Sequence, residues 1–143
     1  MKCGESDGRN DEYLENYSEA KFFQMLIPEE KPLIIDIGAH FGESVEFFHS
    51  IFPRADIISV EPDPESYAKL LKMFPDPKKA INAAVGAKAG TMTFYQYDKS
   101  HLNSLYAINK DSKDSLGYAE SCDEKKVAVR CLRLDDLIPE LDI

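Results

Sequence analysis

The feature that most constrains this chain is a repeated switch, between residues 31 and 85, from short apolar runs to helical stripes. Leu33-Ile34-Ile35-Asp36-Ile37 is a nearly continuous run of branched residues, too short for a helix. Such a run reads as a strand buried on both faces, as in parallel sheets. Gly38-Ala39-His40-Phe41-Gly42 breaks it. From Glu43 to Phe52, residues Val45, Phe48 and Phe52 fall on one helical stripe, with Phe47 and Ile51 beside it, and Pro53 stops it. Ile57 to Val60 is a second strand, ending in Glu61. Asp63 followed by Pro64 is a helix start, because the carboxylate accepts free N–H groups and proline presets φ at the first position. Tyr67, Leu70, Leu71 and Phe74 form that helix's apolar face, and Pro75 ends it. Ala80 to Val85 is a third strand. This alternation predicts an α/β fold, a parallel Rossmann-like sheet with helices on both faces.

The flanks read differently. Residues 1–10 carry Gly, Ser and charge and are a frayed tail. Residues 11–27 are helical, with Tyr13, Tyr17, Ala20 and either Phe23 or Gln24 at 3-4 spacing. The chain therefore divides into an N-terminal tail and helix, 1–30, and a domain, 31–143. Thr91–Tyr97 and Val127–Leu134 alternate apolar and polar residues, the pattern of half-exposed antiparallel strands. Between them runs a Ser-, Asn-, Asp- and Lys-rich stretch. An unstructured loop that long is uncommon unless it is functional or mobile.

Charge and composition remove several classes. The 143 residues suit one domain and carry a net charge of −9. So acidic a surface repels phosphate backbones, which excludes nucleic acid as the main partner. No apolar run approaches the ~18 residues of a membrane span, and no leader-like stretch opens the chain. Cys3, Cys122 and Cys131 have no paired spacing and read as reduced thiols, which points to a cytoplasmic location. The three histidines have no metal-ligand spacing, so no metal site is expected.

Chemistry concentrates in Asp36-Ile37-Gly38-Ala39-His40-Phe41-Gly42-Glu43. Gly38 permits a tight turn and close approach of a ligand to the backbone. Gly42 opens a helix whose free N–H groups face the same place. In a doubly wound sheet Glu61 ends the neighbouring strand at the same edge, where a carboxylate can accept both hydroxyls of a ribose. Dinucleotide sites carry G-x-G-x-x-G, because a pyrophosphate sits on the helix N-terminus. Here the spacing is G-x-x-x-G, and Asp36 stands two places before the first glycine. A carboxylate there repels pyrophosphate but favours a cation. S-adenosyl-L-methionine, with a sulfonium, an ammonium and no phosphate, therefore fits better than NAD.

Asp36–Gly42, Val60-Glu61-Pro62-Asp63-Pro64, Asn82-Ala83-Ala84-Val85-Gly86 and Leu134-Asp135-Asp136-Leu137 together resemble the FkbM-type class I methyltransferases. The first two motifs are the more specific. The resemblance implies that the loop of Asp36, Gly38, Ala39 and Gly42 holds the methionine part of S-adenosyl-L-methionine. It also implies that Glu61 holds the ribose and that Asn82 to Ala84 lie by the adenine. The implied reaction is methyl transfer to a hydroxyl of a small molecule or glycan. His101 lies before Leu102-Asn103-Ser104, where such proteins often carry a serine-rich patch. A base there would help deprotonate an acceptor hydroxyl, although an exposed loop histidine is more often inert. Asp135 and Asp136 are expected to cap a short helix.

The same resemblance implies a seven-stranded sheet. The chain is expected to stop at Leu141–Ile143, before or at the fourth strand, as a cofactor-binding half without turnover. Leu33–Ile37 would then be an open edge that self-associates. Two other readings stand beside this one: a non-catalytic S-adenosylmethionine-binding or interaction module, and an NAD-dependent oxidoreductase.

Overall fold

A computed structural model describes residues 18–76, 78–109 and 123–140. Tyr13, Tyr17, Cys3, Cys122 and Leu141–Ile143 lie outside them. The first helix, α1, runs Glu19–Leu26, capped by the Ser18 side chain, which accepts from the Lys21 N–H. Then follow β1 (Leu33–Ile37), α2 (Glu43–Ile51), β2 (Asp56–Val60) and α3 (Pro64–Met73). Two short strands come next, β3 (Ala80–Ile81) and β4 (Ala84–Val85). The rest comprises β5 (Gly90–Tyr97), a 3-10 turn (Ser100–Leu102), β6 (Glu124–Leu132) and α4 (Leu134–Glu140).

The strands form two sheets. The first is parallel, in the order β1-β2-β3, with Asp36 opposite Ser59 and Ile37 opposite Val60. The second has the order β4-β6-β5, with β4 parallel and β5 antiparallel to β6. The fold is thus mixed α/β, and the alternating pair 91–97 and 127–132 is the expected antiparallel ribbon. Leu134, read as the end of that strand, instead begins α4. Asp135 and Asp136 sit inside its first turn rather than at the cap, where acids complement the helix dipole.

The expected single third strand, Ala80–Val85, is two strands. The Asn82 side chain donates to the Glu61 carbonyl at 2.8 Å, and the Ala83 N–H turns back to the Ile81 carbonyl at 3.1 Å. These bonds replace ladder bonds. The chain leaves β2 after Ile81 and meets β6 at Ala84.

A second correction concerns β1. A strand buried on both faces was expected, yet Leu33 is 43% and Ile37 51% exposed. Among the described residues β1 pairs with β2 alone, so it is an edge. Its neighbour β2 is the buried strand, and its side chains alternate between two cores. Ile57 joins Val45, Phe52 and Leu70 beneath α1, α2 and α3, while Val60 joins Ala83, Leu132 and Leu137 of α4. Phe23 fixes α1 by edge-on contacts with Phe47 and Phe48, at ring separations of 6.1 and 5.1 Å. Leu70 is fully buried; burial of such a side chain is worth about 1.5–3 kcal/mol. No helix among the described residues is long and apolar enough to cross a membrane.

Candidate functional site

The parallel register of β1, β2 and β3 brings their carboxyl ends together, and the loop from Gly38 to Gly42 closes over β2. The Gly38 and Ala39 N–H groups both donate to the Val60 carbonyl, at 2.8 and 3.2 Å. Gly38 has φ +87°, and nothing lies within 4 Å of where a Cβ would stand, so its face is open. Gly42 has φ +99° and is closed: a Cβ there would lie 2.5 Å from Phe74 Cε2 and 3.0 Å from Leu70 Cδ1. The two glycines therefore do different work, one leaving room outside and the other letting α3 approach the loop.

Glu61 ties this edge together. It is 5% exposed, and its carboxylate accepts the His40 N–H at 2.7 Å and the Asp63 N–H at 2.8 Å. Burial pushes its carboxyl above the ordinary glutamate range, against the downward pull of those two N–H groups. Each oxygen takes one bond from the protein and keeps a lone pair for another. Asn82 stands beside it on the Glu61 carbonyl. Asp63, also buried, caps α3 through Ser66, whose N–H and hydroxyl donate at 3.1 and 2.7 Å, and it accepts from Gln96 on its other oxygen. Burial alone would raise Asp63, but the Ser66 and Gln96 bonds outweigh it and hold its carboxyl below the ordinary range. Asp36 accepts from the Ser44 hydroxyl at 2.5 Å, which pins the first turn of α2 to the end of β1.

Asp36, Gly38, Ala39, Gly42, Glu61 and Asn82 thus lie along one edge of the parallel sheet. Ala84 does not. It belongs to the second sheet, packed with Phe94, Val129 and Cys131. His101 is exposed in the 3-10 turn, and its neighbour Ser100 makes the contact with the loop.

Sequence reasoning left His40 as a residue that only fills the loop. Among the described residues it is the one non-glycine with positive φ, at +50°. Its Nδ1 lies 3.1 Å from Glu43 Oε1, and its Nε2 2.7 Å from Ser100 Oγ. A carboxylate only accepts, so Nδ1 carries the proton, and in the neutral ring Nε2 accepts from the Ser100 hydroxyl. The ring stacks on Phe41 at 3.6 Å, and Lys69 Nζ lies 4.2 Å from the centre of the Phe41 ring. The available signal was its place between two turn glycines, since histidine is among the residues enriched at positive φ. Among the described residues no cluster of His, Cys, Asp or Glu suits a metal ion.

The sequence profile of the methyltransferase FkbM domain matches residues 36–143, from the loop's own aspartate onward. No curated protein and no solved structure matches the chain.

Proposed function

Because the chain belongs to the methyltransferase FkbM domain family, we propose that the edge built by Asp36, Gly38 and Glu61 binds S-adenosyl-L-methionine and serves methyl transfer to a hydroxyl. The observation that carries this reading is the buried Glu61 carboxylate at the end of β2, held by the backbone of the glycine loop. The residues suit that cofactor. Gly38 leaves its outer face open to a ligand, and two carboxylates, Asp36 and Glu61, stand at the same edge. A sulfonium and an ammonium are attracted there, whereas a pyrophosphate is repelled. The nicotinamide reading gains no support from the family.

When bound, the cofactor supplies a methyl group made electrophilic by its sulfonium. The chain's own part is binding and alignment, the main source of rate in a displacement. Asp36 faces the cationic end. Glu61 offers its remaining lone pairs to the ribose hydroxyls, and Asn82 borders the adenine side. The acceptor would be a small molecule or glycan bearing a hydroxyl, to which the bound cofactor would supply its methyl group.

Calorimetry tests the reading. Wild-type protein should bind S-adenosyl-L-methionine, and Glu61→Ala should weaken binding by about 1.5–3 kcal/mol, the range for hydrogen bonds to a charged group. Equal affinity for both proteins removes the ribose role. Tight binding without methyl transfer to any hydroxyl acceptor identifies a non-catalytic cofactor-binding module instead.

A further inference from the structure

Beneath the glycine loop, α2 and α3 do not close fully over β2. They leave a cavity of about 330 Å3, at the lower end of the roughly 300–1,000 Å3 typical of small-molecule sites. Val45 of α2, Leu70 of α3 and Phe74 at the C-terminal cap of α3 form its walls, Ser59 of β2 lies at its base, and His49 and Lys79 stand at its mouth. Lys79 is engaged by Asp56, 2.6 Å away. Ser59 is 5% exposed, and its side chain lines the cavity.

Two features define what fits. The Ser59 hydroxyl is the polar group at the inner end of a chamber walled by Val45, Leu70 and Phe74, so the matching guest brings one hydrogen-bonding group to that end and is apolar elsewhere. The Phe74 and His49 rings pack on each other at 6.5 Å on the cavity's border and give a guest an aromatic wall to pack against. The walls also reach the loop. Leu70 and Phe74 are the side chains pressed against Gly42, with no room for even a methyl group between them. A guest that moves the Phe74 ring is therefore felt at Gly42.

We propose that this cavity binds a small aromatic molecule carrying one hydroxyl or carbonyl, which pairs with Ser59 and acts on the glycine loop through Leu70 and Phe74. The site is separate from the cofactor edge and does not depend on that assignment.

Titration of the whole chain with p-cresol and with toluene, followed by amide NMR, tests it. The expected result is saturable p-cresol shifts at Ser59, Leu70, Phe74 and Gly42. Ser59→Ala should weaken p-cresol roughly three- to tenfold, the worth of one ordinary hydrogen bond, and leave toluene unchanged. Ser59→Ile, which fills the base, should abolish binding of both. Absence of saturable shifts overturns the site. Equal p-cresol affinity in wild type and Ser59→Ala overturns the serine contact. A Gly42 amide that stays still while the cavity amides move overturns the link to the loop.

Discussion

Gly42 meets two demands at once, a left-handed backbone at φ +99° and a Phe74 ring within 2.5 Å of any added Cβ. Gly42→Ala should therefore cost about 1–3 kcal/mol, through backbone strain and overpacking together. A thermal melt reads it directly, and an unchanged midpoint would mean that Phe74 swings aside freely. Glu61 makes a prediction of opposite kind. Its carboxyl is raised by burial, so in the window just above the ordinary glutamate value of about 4.3 the folded chain holds a proton that the unfolded chain has lost. Stability contributed there falls as pH rises. Asp63, held low, has the reverse sign: its contribution stands above the ordinary aspartate range and is lost as pH drops through its lowered value. Denaturant melts between about pH 4 and 7 should show a shallower decline for Glu61→Gln than for wild type; parallel profiles would contradict the raised carboxyl. Glycine and acid positions at the loop were readable in the chain because turns and charges are local. His40 was not, because its partner Ser100 arrives from sixty residues away.

At the scale of elements, the segment after β5 is folded back on its own strand. Tyr95 and Ser104 exchange backbone hydrogen bonds at 2.8 and 3.0 Å, and the Asn103 side chain accepts the Tyr97 N–H at 2.8 Å. The Ser100–His40 bond joins this turn to the glycine loop, and so joins the second sheet to the first. Ser100→Ala should speed amide hydrogen exchange at 100–104 and at His40, at a cost of roughly 0.5–1.5 kcal/mol. Exchange confined to the turn, with His40 unaffected, would show that the bond couples nothing. The divided third strand belongs to the same scale. Ala80–Val85 is apolar except for Asn82 and so reads as one short strand. What interrupts it is the Asn82 amide reaching the carbonyl of Glu61, a partner supplied only once β2 is alongside.

For the molecule as a whole, the open side of β1 is the feature with consequences. Leu33 and Ile37 are half-exposed apolar residues on a strand with one described neighbour. Such an edge is a template for pairing with another chain, and a lysine on it blocks that pairing. Wild-type protein should sediment as larger species with increasing concentration, and Leu33→Lys should stay monomeric under the same conditions. A wild type that remains monomeric at every concentration would show that the edge is protected by other means. Three helices share one core with Ile57 while α4 meets the other through Val60, which leaves β2 as the strand buried on both sides.

Local patterning alone specified most elements of this protein. Apolar periodicity, Asp63-Pro64 at a helix start, and glycines at a strand-to-helix turn act within a few residues, so they are written in the chain. The gathering of Asp36, Gly38 and Glu61 followed from parallel topology, which the alternation of strands and helices already implied. Burial of β2 rather than β1, the break at Asn82, the departure of Ala84 into a second core and the choice of Ser100 over His101 required the assembled fold. Each depends on a neighbour distant in sequence, and a hydrogen bond or a contact with such a neighbour exists only after the chain has closed.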